Sequence, residues 1–216
     1  MLLGWTLALR RRELVRNKIF APKSFFAGET TLLQRPVCWI AIRAVSPEAV
    51  KSALGLSRAQ PCSWAEGLSG SREFFISPRL NGWVIVTGIG LPHPGDDVDA
   101  TFLFLTALSR KLGHVQFFHA DRFLQHHAWA RLDDGCVTRA FAWVGETVWN
   151  QGSPTQPELQ TGLKLPDYGE EITEAEVRKN LQRLPQLAAR WSLDPAEVKL
   201  KSPRESIGIA GESAPF

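Results

Sequence analysis

The feature that most constrains this chain is a pair of β-forming runs, Phe123 to Leu132 and Val137 to Val144, joined across Asp134-Gly135. Asp-Gly favours the tight hairpin turn because both central residues can take a positive φ. With those two as the loop, Leu132 faces Val137, Ala130 faces Arg139, Ala128 faces Phe141 and His126 faces Trp143. The other face sets Gln125, His127, Trp129 and Arg131 opposite Val144, Ala142, Ala140 and Thr138. Each face pairs large with small side chains, so both are expected to be at least partly covered. The pairing depends on register, since a slip of one residue turns every side chain to the opposite face.

The chain before the hairpin alternates strand and helix patterns. Val37 to Val45 is an apolar run of strand composition, and Ser46-Pro47-Glu48 opens a helix that runs to about Leu54 and stops at Gly55. Ser63-Trp64-Ala65-Glu66 is a capping box for a short helical turn. Glu73 to Ser77 and Trp83 to Gly88 form two strands about the Asn81-Gly82 turn. Asp96 then caps a helix with Val98, Phe102, Leu105, Leu108 and Leu112 on its apolar face and Gly113 as its stop, and a strand follows from His114 to His119. Thr147 to Asn150 extends the sheet. Thr155 to Gly162 and Thr173 to Leu184 are helices opened by T-x-x-E boxes; Pro185 interrupts, and Leu187, Ala188 and Trp191 form one more apolar stripe.

This order predicts an α+β fold: a ferredoxin-like βαββαβ sandwich, extended by the β-hairpin and carrying C-terminal helices. The expected division is a basic N-terminal arm (1–36), an α+β core (37–152), a helical extension of the same domain (153–200) and a flexible tail (201–216). With 44% hydrophobic and 22% charged residues the chain has the composition of a folded protein. Its eight tryptophans and twelve phenylalanines are enough for a sizeable core.

The net charge of +3 is uneven. Seven Lys or Arg against Glu13 and Glu29 give the first 35 residues +5, which leaves −2 for the rest. A nucleic-acid binder carries its positive charge on a domain face, so no nucleic acid is expected. Leu2 to Leu9 is apolar and Arg10-Arg11-Arg12 follows. Eight residues are too few to cross a bilayer, and a signal peptide carries its charge before the apolar run. Residues 1–20 therefore read as an amphipathic arm, with contact at a membrane surface as the sharper alternative. A start lying upstream, with Met1 at the tail of a membrane-spanning helix, is the third reading. Cys38, Cys62 and Cys136 form no CxxC pair, which points to a reducing, cytoplasmic setting and to cysteines acting as small hydrophobes.

No segment spells out a reaction. Gly88-Ile89-Gly90 follows a strand, but His93 stands where a dinucleotide fingerprint needs its third glycine. His93, Asp96, Asp97 and Asp99 crowd a helix start, where capping accounts for the carboxylates without a metal. GKS/GKT, GxSxG and HExxH are absent. Cys62 or Cys136 is a nucleophile only where the fold brings a histidine to it. The catalytic candidates are His126 and His127, each needing an orienting carboxylate such as Glu146. Adjacent strand residues point to opposite faces, so His126 and His127 cannot jointly hold one metal. Trp129, Arg131, Arg139, Trp143, Trp149 and Asn150 are the candidate binding residues, since Trp and Arg most often anchor interfaces.

The segments LGHVQFF (112–118), HAWAR (127–131), RAFAW (139–143) and WNQG (149–152) resemble a set of uncharacterised bacterial proteins over about Val37 to Trp191. The resemblance implies a bacterial source and transfers no catalytic residue. The expected function is a non-catalytic interaction module, adaptor or immunity-like, with a protein partner and no cofactor. The alternatives are a hydrolase using a hairpin histidine with Glu146, and a membrane-peripheral protein held by residues 1–20.

Overall fold

The computed structural model describes residues 35–44, 46–198 and 207–213. Residues 1–34 of the expected arm (1–36), with its membrane-contact reading, lie outside them, as do 45, 199–206 and 214–216. The described residues form one compact unit.

Among the described residues nine strands make one sheet in which every pair is antiparallel. In chain order the elements are β1 (Cys38–Ile42), α1 (Pro47–Leu54), β2 (Leu56–Ser63), α2 (Trp64–Leu68), β3 (Phe74–Ile76), β4 (Val84–Thr87), α3 (Val98–Leu112) and β5 (Val115–Asp121). Then come β6 (His126–Asp133), β7 (Cys136–Trp143), β8 (Thr147–Gln151), α4 (Gln156–Thr161), α5 (Glu174–Trp191), a 3-10 turn (Pro195–Glu197) and β9 (Ile207–Ser213). The sheet order is β2-β9-β3-β4-β1-β5-β6-β7-β8. The protein is thus a mixed α+β structure built on one large antiparallel sheet.

Strand alternation sends two sets of side chains to two covered faces. Ile40, Ile42, Val86, Phe117, Ala130 and Ala140 face one core with Leu105 and Leu108 of α3. Trp39, Phe75, Phe118, Trp129 and Phe141 face the other, under Leu181, Leu184 and Leu187 of α5. Central strands covered on both sides have no solvent-facing positions, which is why β1 reads CWIAI without a polar residue.

Local chemistry sets most boundaries. Ser46 accepts from the Ala49 amide, Pro47 starts α1, and Gly55 ends it at φ 64°. Both T-x-x-E boxes close as capping boxes, at Thr155/Glu158 and Thr173/Glu176. Asp134 and Gly135 take φ of 50° and 81°, the geometry expected of the hairpin turn.

Four expectations change. The hairpin register holds at Leu132 with Val137 but shifts between Arg131 and Leu132, so Ala130 pairs Ala140, Trp129 pairs Phe141 and His127 pairs Trp143. A β-bulge puts two residues of one strand opposite one of the other, and this one leaves Thr138 Oγ1 donating to the Arg131 carbonyl at 3.0 Å. α5 runs unbroken through Pro185 to Trp191. A mid-helix proline costs roughly 3 kcal/mol, and burial of Leu184, Leu187, Ala188 and Trp191 outweighs it. Residues 207–213 of the expected tail form β9, inserted between β2 and β3. Gly208 permits this, because a Cβ there would stand 2.2 Å from the Ile76 carbonyl oxygen. Finally, the cap of α3 is Asp97, whose Oδ1 accepts from the Ala100 amide at 2.9 Å, and not Asp96.

Candidate functional site

The expected binding residues are mostly structural. Trp129 and Arg139 are fully buried, and Trp143 and Trp149 nearly so. Glu158 of α4, buried in the same place, accepts from Trp129 Nε1 and from Arg139 Nε through one carboxylate oxygen, each at 2.7 Å. Its second oxygen accepts from the amide and hydroxyl of Thr155. Arg139 Nη1 donates to Asn150 Oδ1 and to the carbonyls of Ala140, Gln151 and Gly152. Asn150 also bonds Asp167 and Tyr168. This network clamps α4 onto the hairpin and buries Trp129, Arg139 and Glu158 completely. Arg131 and Asn150 are half-buried, and Arg131 Nε lies 3.8 Å from Asp133 Oδ2.

The histidines converge instead at the far end of the sheet from the Asp134-Gly135 turn. Cys38 opens β1, Thr87 closes β4, His119 is near the end of β5, and His126 opens β6. His119 pairs Ala128 across β5 and β6, and Asp121 pairs His126. His119 shares a face with Phe117, as His126 does with Ala128 and Ala130. The loop before α3 brings His93 to the same place, where its ring stacks on His119 at 4.4 Å. His93 Nε2 lies 3.1 Å from Asp96 Oδ2. A Cβ on Gly95 would stand 2.8 Å from His126 Nδ1 and 3.2 Å from His93 Nδ1. Both of those nitrogens, and both nitrogens of His119, are buried without a hydrogen-bond partner.

His127 lies on the opposite face, fully buried and stacked near Trp129 and Phe141. Its Nε2 accepts from Asn180 Nδ2 at 3.0 Å, which places the ring proton on Nδ1. Burial, reinforced by neighbouring imidazoles, pushes His119 and His127 down to about 3, so both are neutral at physiological pH. Burial likewise pushes the Cys38 thiol up, away from thiolate reactivity. Among the described residues neither His126 nor His127 bonds Glu146, so the expected dyad is not assembled. Glu146 is exposed and lines a separate cavity of about 520 Å³ with Glu170 and Glu171.

A cavity of about 400 Å³ adjoins the histidines, lined by Val37, Cys38, Leu68, Thr87, Ile89 and His93 among others. Large apolar side chains rim this end of the sheet: Val37 is 51% exposed, Ile89 69%, Phe123 93% and Leu124 52%. The turn that carries Phe123 is built, not slack. Asp121 Oδ1 accepts from the amides of Phe123 and Leu124 at 2.8 and 2.9 Å, and Gln125 takes φ 57°. Among the described residues no group of three or more His, Cys, Asp or Glu side chains is arranged to hold a metal ion, and no helix is long and apolar enough to cross a membrane.

Sequence reasoning placed His93 in a helix cap and left His119 unassigned. The one available signal was the spacing of His119 from His126-His127 across a short turn, which puts them on neighbouring strands once Asp121 to Gln125 is read as that turn. No family model matches the chain, and neither the curated proteins nor the solved structures contain a significant match.

Proposed function

We propose that the protein is a binding module without chemistry of its own, docking a protein partner on the end of the sheet that carries Val37, Ile89, Phe123 and Leu124. The observation that carries this reading is the exposure of those four side chains. They sit on the ends of β4, β1 and the β5–β6 turn, neighbours in the sheet. Adjacent strands are roughly 4.8 Å apart, so the rim spans about 15 Å. Scattered exposed apolar residues are ordinary, but apolar side chains gathered at one end of a sheet, two of them on a locked turn, mark an interaction surface. An adaptor or immunity-like role in a bacterial protein fits such a rim.

The hydrolase reading is weaker. It needs an imidazole oriented by a carboxylate within reach of substrate, whereas His127 is buried and tied to Asn180. The membrane reading draws on the apolar and basic run of residues 1–20, which lies outside the described residues.

We also infer that β3-β4-β1-β5, with α1 and α3, is a ferredoxin-like unit to which the other strands are added. Its support is the spatial order of strands two, three, one and four of a βαββαβ chain, with both helices against one face.

The test of the docking reading compares the intact chain with Phe123→Asp and Ile89→Asp. Cross-linking in the native host should recover a partner with the wild type and lose it with either variant at unchanged stability. Retained capture by both variants would refute it. Sedimentation with anionic vesicles that is lost on deleting residues 1–20 and unaffected by Phe123→Asp would instead favour the membrane reading.

A further inference from the structure

We propose that His93 and His126 form a two-imidazole site for a divalent first-row transition-metal ion of the kind that prefers nitrogen ligands, such as Zn²⁺, Ni²⁺ or Cu²⁺. The site lies at the same end of the sheet as the docking surface, but the inference does not depend on that reading.

The first support is the state of the two nitrogens. His93 Nδ1 and His126 Nδ1 are both buried and both lack a hydrogen-bond partner. An unmet buried polar atom costs roughly 1–3 kcal/mol, so two beside one another are a standing penalty that a shared ligand removes. The second is the tautomer. His93 Nε2 lies 3.1 Å from Asp96 Oδ2, and a proton held on that nitrogen beside the carboxylate leaves the Nδ1 lone pair free to bind. A carboxylate on the outer nitrogen is the usual second contact of a metal-bound histidine; it orients the ring and raises its basicity.

The third support is convergence. Both Nδ1 atoms border the position that a Cβ on Gly95 would take, at 2.8 and 3.2 Å, and the third-nearest atom there is His93 Cε1 at 3.5 Å. Both nitrogens therefore converge on Gly95, where only a residue without a Cβ lets them approach so closely. Two imidazole nitrogens on one tetrahedral ion lie roughly 3.4 Å apart, and the soft χ2 torsion of histidine supplies the small ring rotations needed to reach that spacing. Water completes the coordination shell, so no third protein ligand is needed.

His119 supports the pair from beneath without binding the ion. It is fully buried, neutral, and stacked at 4.4 Å on the His93 ring, so it fixes that ring's plane without adding charge. It is a positioning residue. Imidazole ligands select Zn²⁺, Ni²⁺ and Cu²⁺ over Mg²⁺ and Ca²⁺, which prefer oxygen.

The experiment titrates the untagged full-length chain with ZnCl₂, NiCl₂ and MgCl₂ by calorimetry, and records the electron paramagnetic resonance spectrum with CuSO₄. The expected result is one Zn²⁺ or Ni²⁺ per chain, no Mg²⁺, and a Cu²⁺ signal split by two nitrogens. His126→Gln should abolish binding. Gly95→Ala keeps both imidazoles but sets a Cβ 2.8 Å from His126 Nδ1 and 3.2 Å from His93 Nδ1, and it should weaken Ni²⁺ binding at least tenfold. Asp96→Asn should weaken it by roughly ten- to a hundredfold. His114→Gln, remote from the site, should leave it unchanged. Circular dichroism confirms that each variant folds. Failure of the wild type to bind Ni²⁺ at millimolar concentration would overturn the proposal, as would binding that His126→Gln and Gly95→Ala both leave intact.

Discussion

Replacing Glu158 by alanine should be among the most damaging single changes available in this chain. The carboxylate is fully buried and occupied on both oxygens: Trp129 Nε1 and Arg139 Nε on one, the Thr155 amide and hydroxyl on the other. Removing one partner of a buried ion pair costs about 3–5 kcal/mol, because the remaining charge stays desolvated and unpaired. Leaving Trp129 Nε1 without an acceptor adds about 1–3 kcal/mol. The terms share one oxygen and overlap, so the expected loss is about 4–6 kcal/mol against a typical net stability of about 5–15 kcal/mol. Glu158→Gln keeps an acceptor toward Trp129 and Arg139 but turns an amide group on the Thr155 N–H, so roughly half that loss is expected. The double change Arg139→Met with Glu158→Leu should cost about 2 kcal/mol less than the sum of the singles, because it removes both charges together. Recovery is partial, since Asn150 and the carbonyls of Ala140, Gln151 and Gly152 lose their donor. Urea unfolding followed by tryptophan fluorescence measures the wild type, each of these variants and the singles Arg139→Met and Glu158→Leu. A loss below about 1 kcal/mol for Glu158→Ala, or strict additivity in the double change, would refute the claim that this network clamps the hairpin.

Stability should fall on mild acidification. His119 and His127 sit near 3 when folded and return to about 6.5 when unfolded, so between those values the unfolded chain binds more protons. Stability then rises with pH across that window, by about 1.4 kcal/mol per pH unit for each histidine, and is lost as pH drops from about 6.5 toward 3. Urea midpoints at pH 7 and pH 5 check this; His127→Phe should roughly halve the slope, and a flat profile would contradict it. Gly135→Ala should cost about 1–2 kcal/mol, because φ 81° strains an L-residue and the new Cβ would stand 2.3 Å from Arg110 Cγ. Its unfolding midpoint tests that, with an unchanged value counting against the turn assignment. Phe123→Asp should leave stability within about 0.5 kcal/mol while weakening partner binding by about 2 kcal/mol, read from thermal unfolding and from binding isotherms.

Elements governed by short-range chemistry were legible in the sequence. The Asp134-Gly135 turn, the Thr155 and Thr173 capping boxes and the Gly55 stop each follow from one or two residues with a local mechanism. What was not legible depends on partners far along the chain. β9 carries two glycines and no long apolar alternation, and becomes a strand only because β2 and β3 flank it. The register shift beside Arg131 has no residue signature, and missing it moved every pairing of the hairpin beyond Leu132 by one. Arginine in a strand suggests a solvent-facing position; Arg139 is buried because Glu158 arrives from α4, and its role in the capping box gave no hint of that second task. The candidate site failed for the same reason. His93, His119 and His126 come from a loop and two strands, and only the sheet order brings them together.

The central claim, that the protein acts by docking at the Phe123 end of the sheet, is tested most directly by a photo-cross-linking residue placed at position 123 or at 134, at opposite ends of the sheet. The expected result is a specific adduct from position 123 in the native host, lost when Ile89→Asp is added, and none from position 134. Adducts formed equally from both ends, or from position 134 alone, would contradict it.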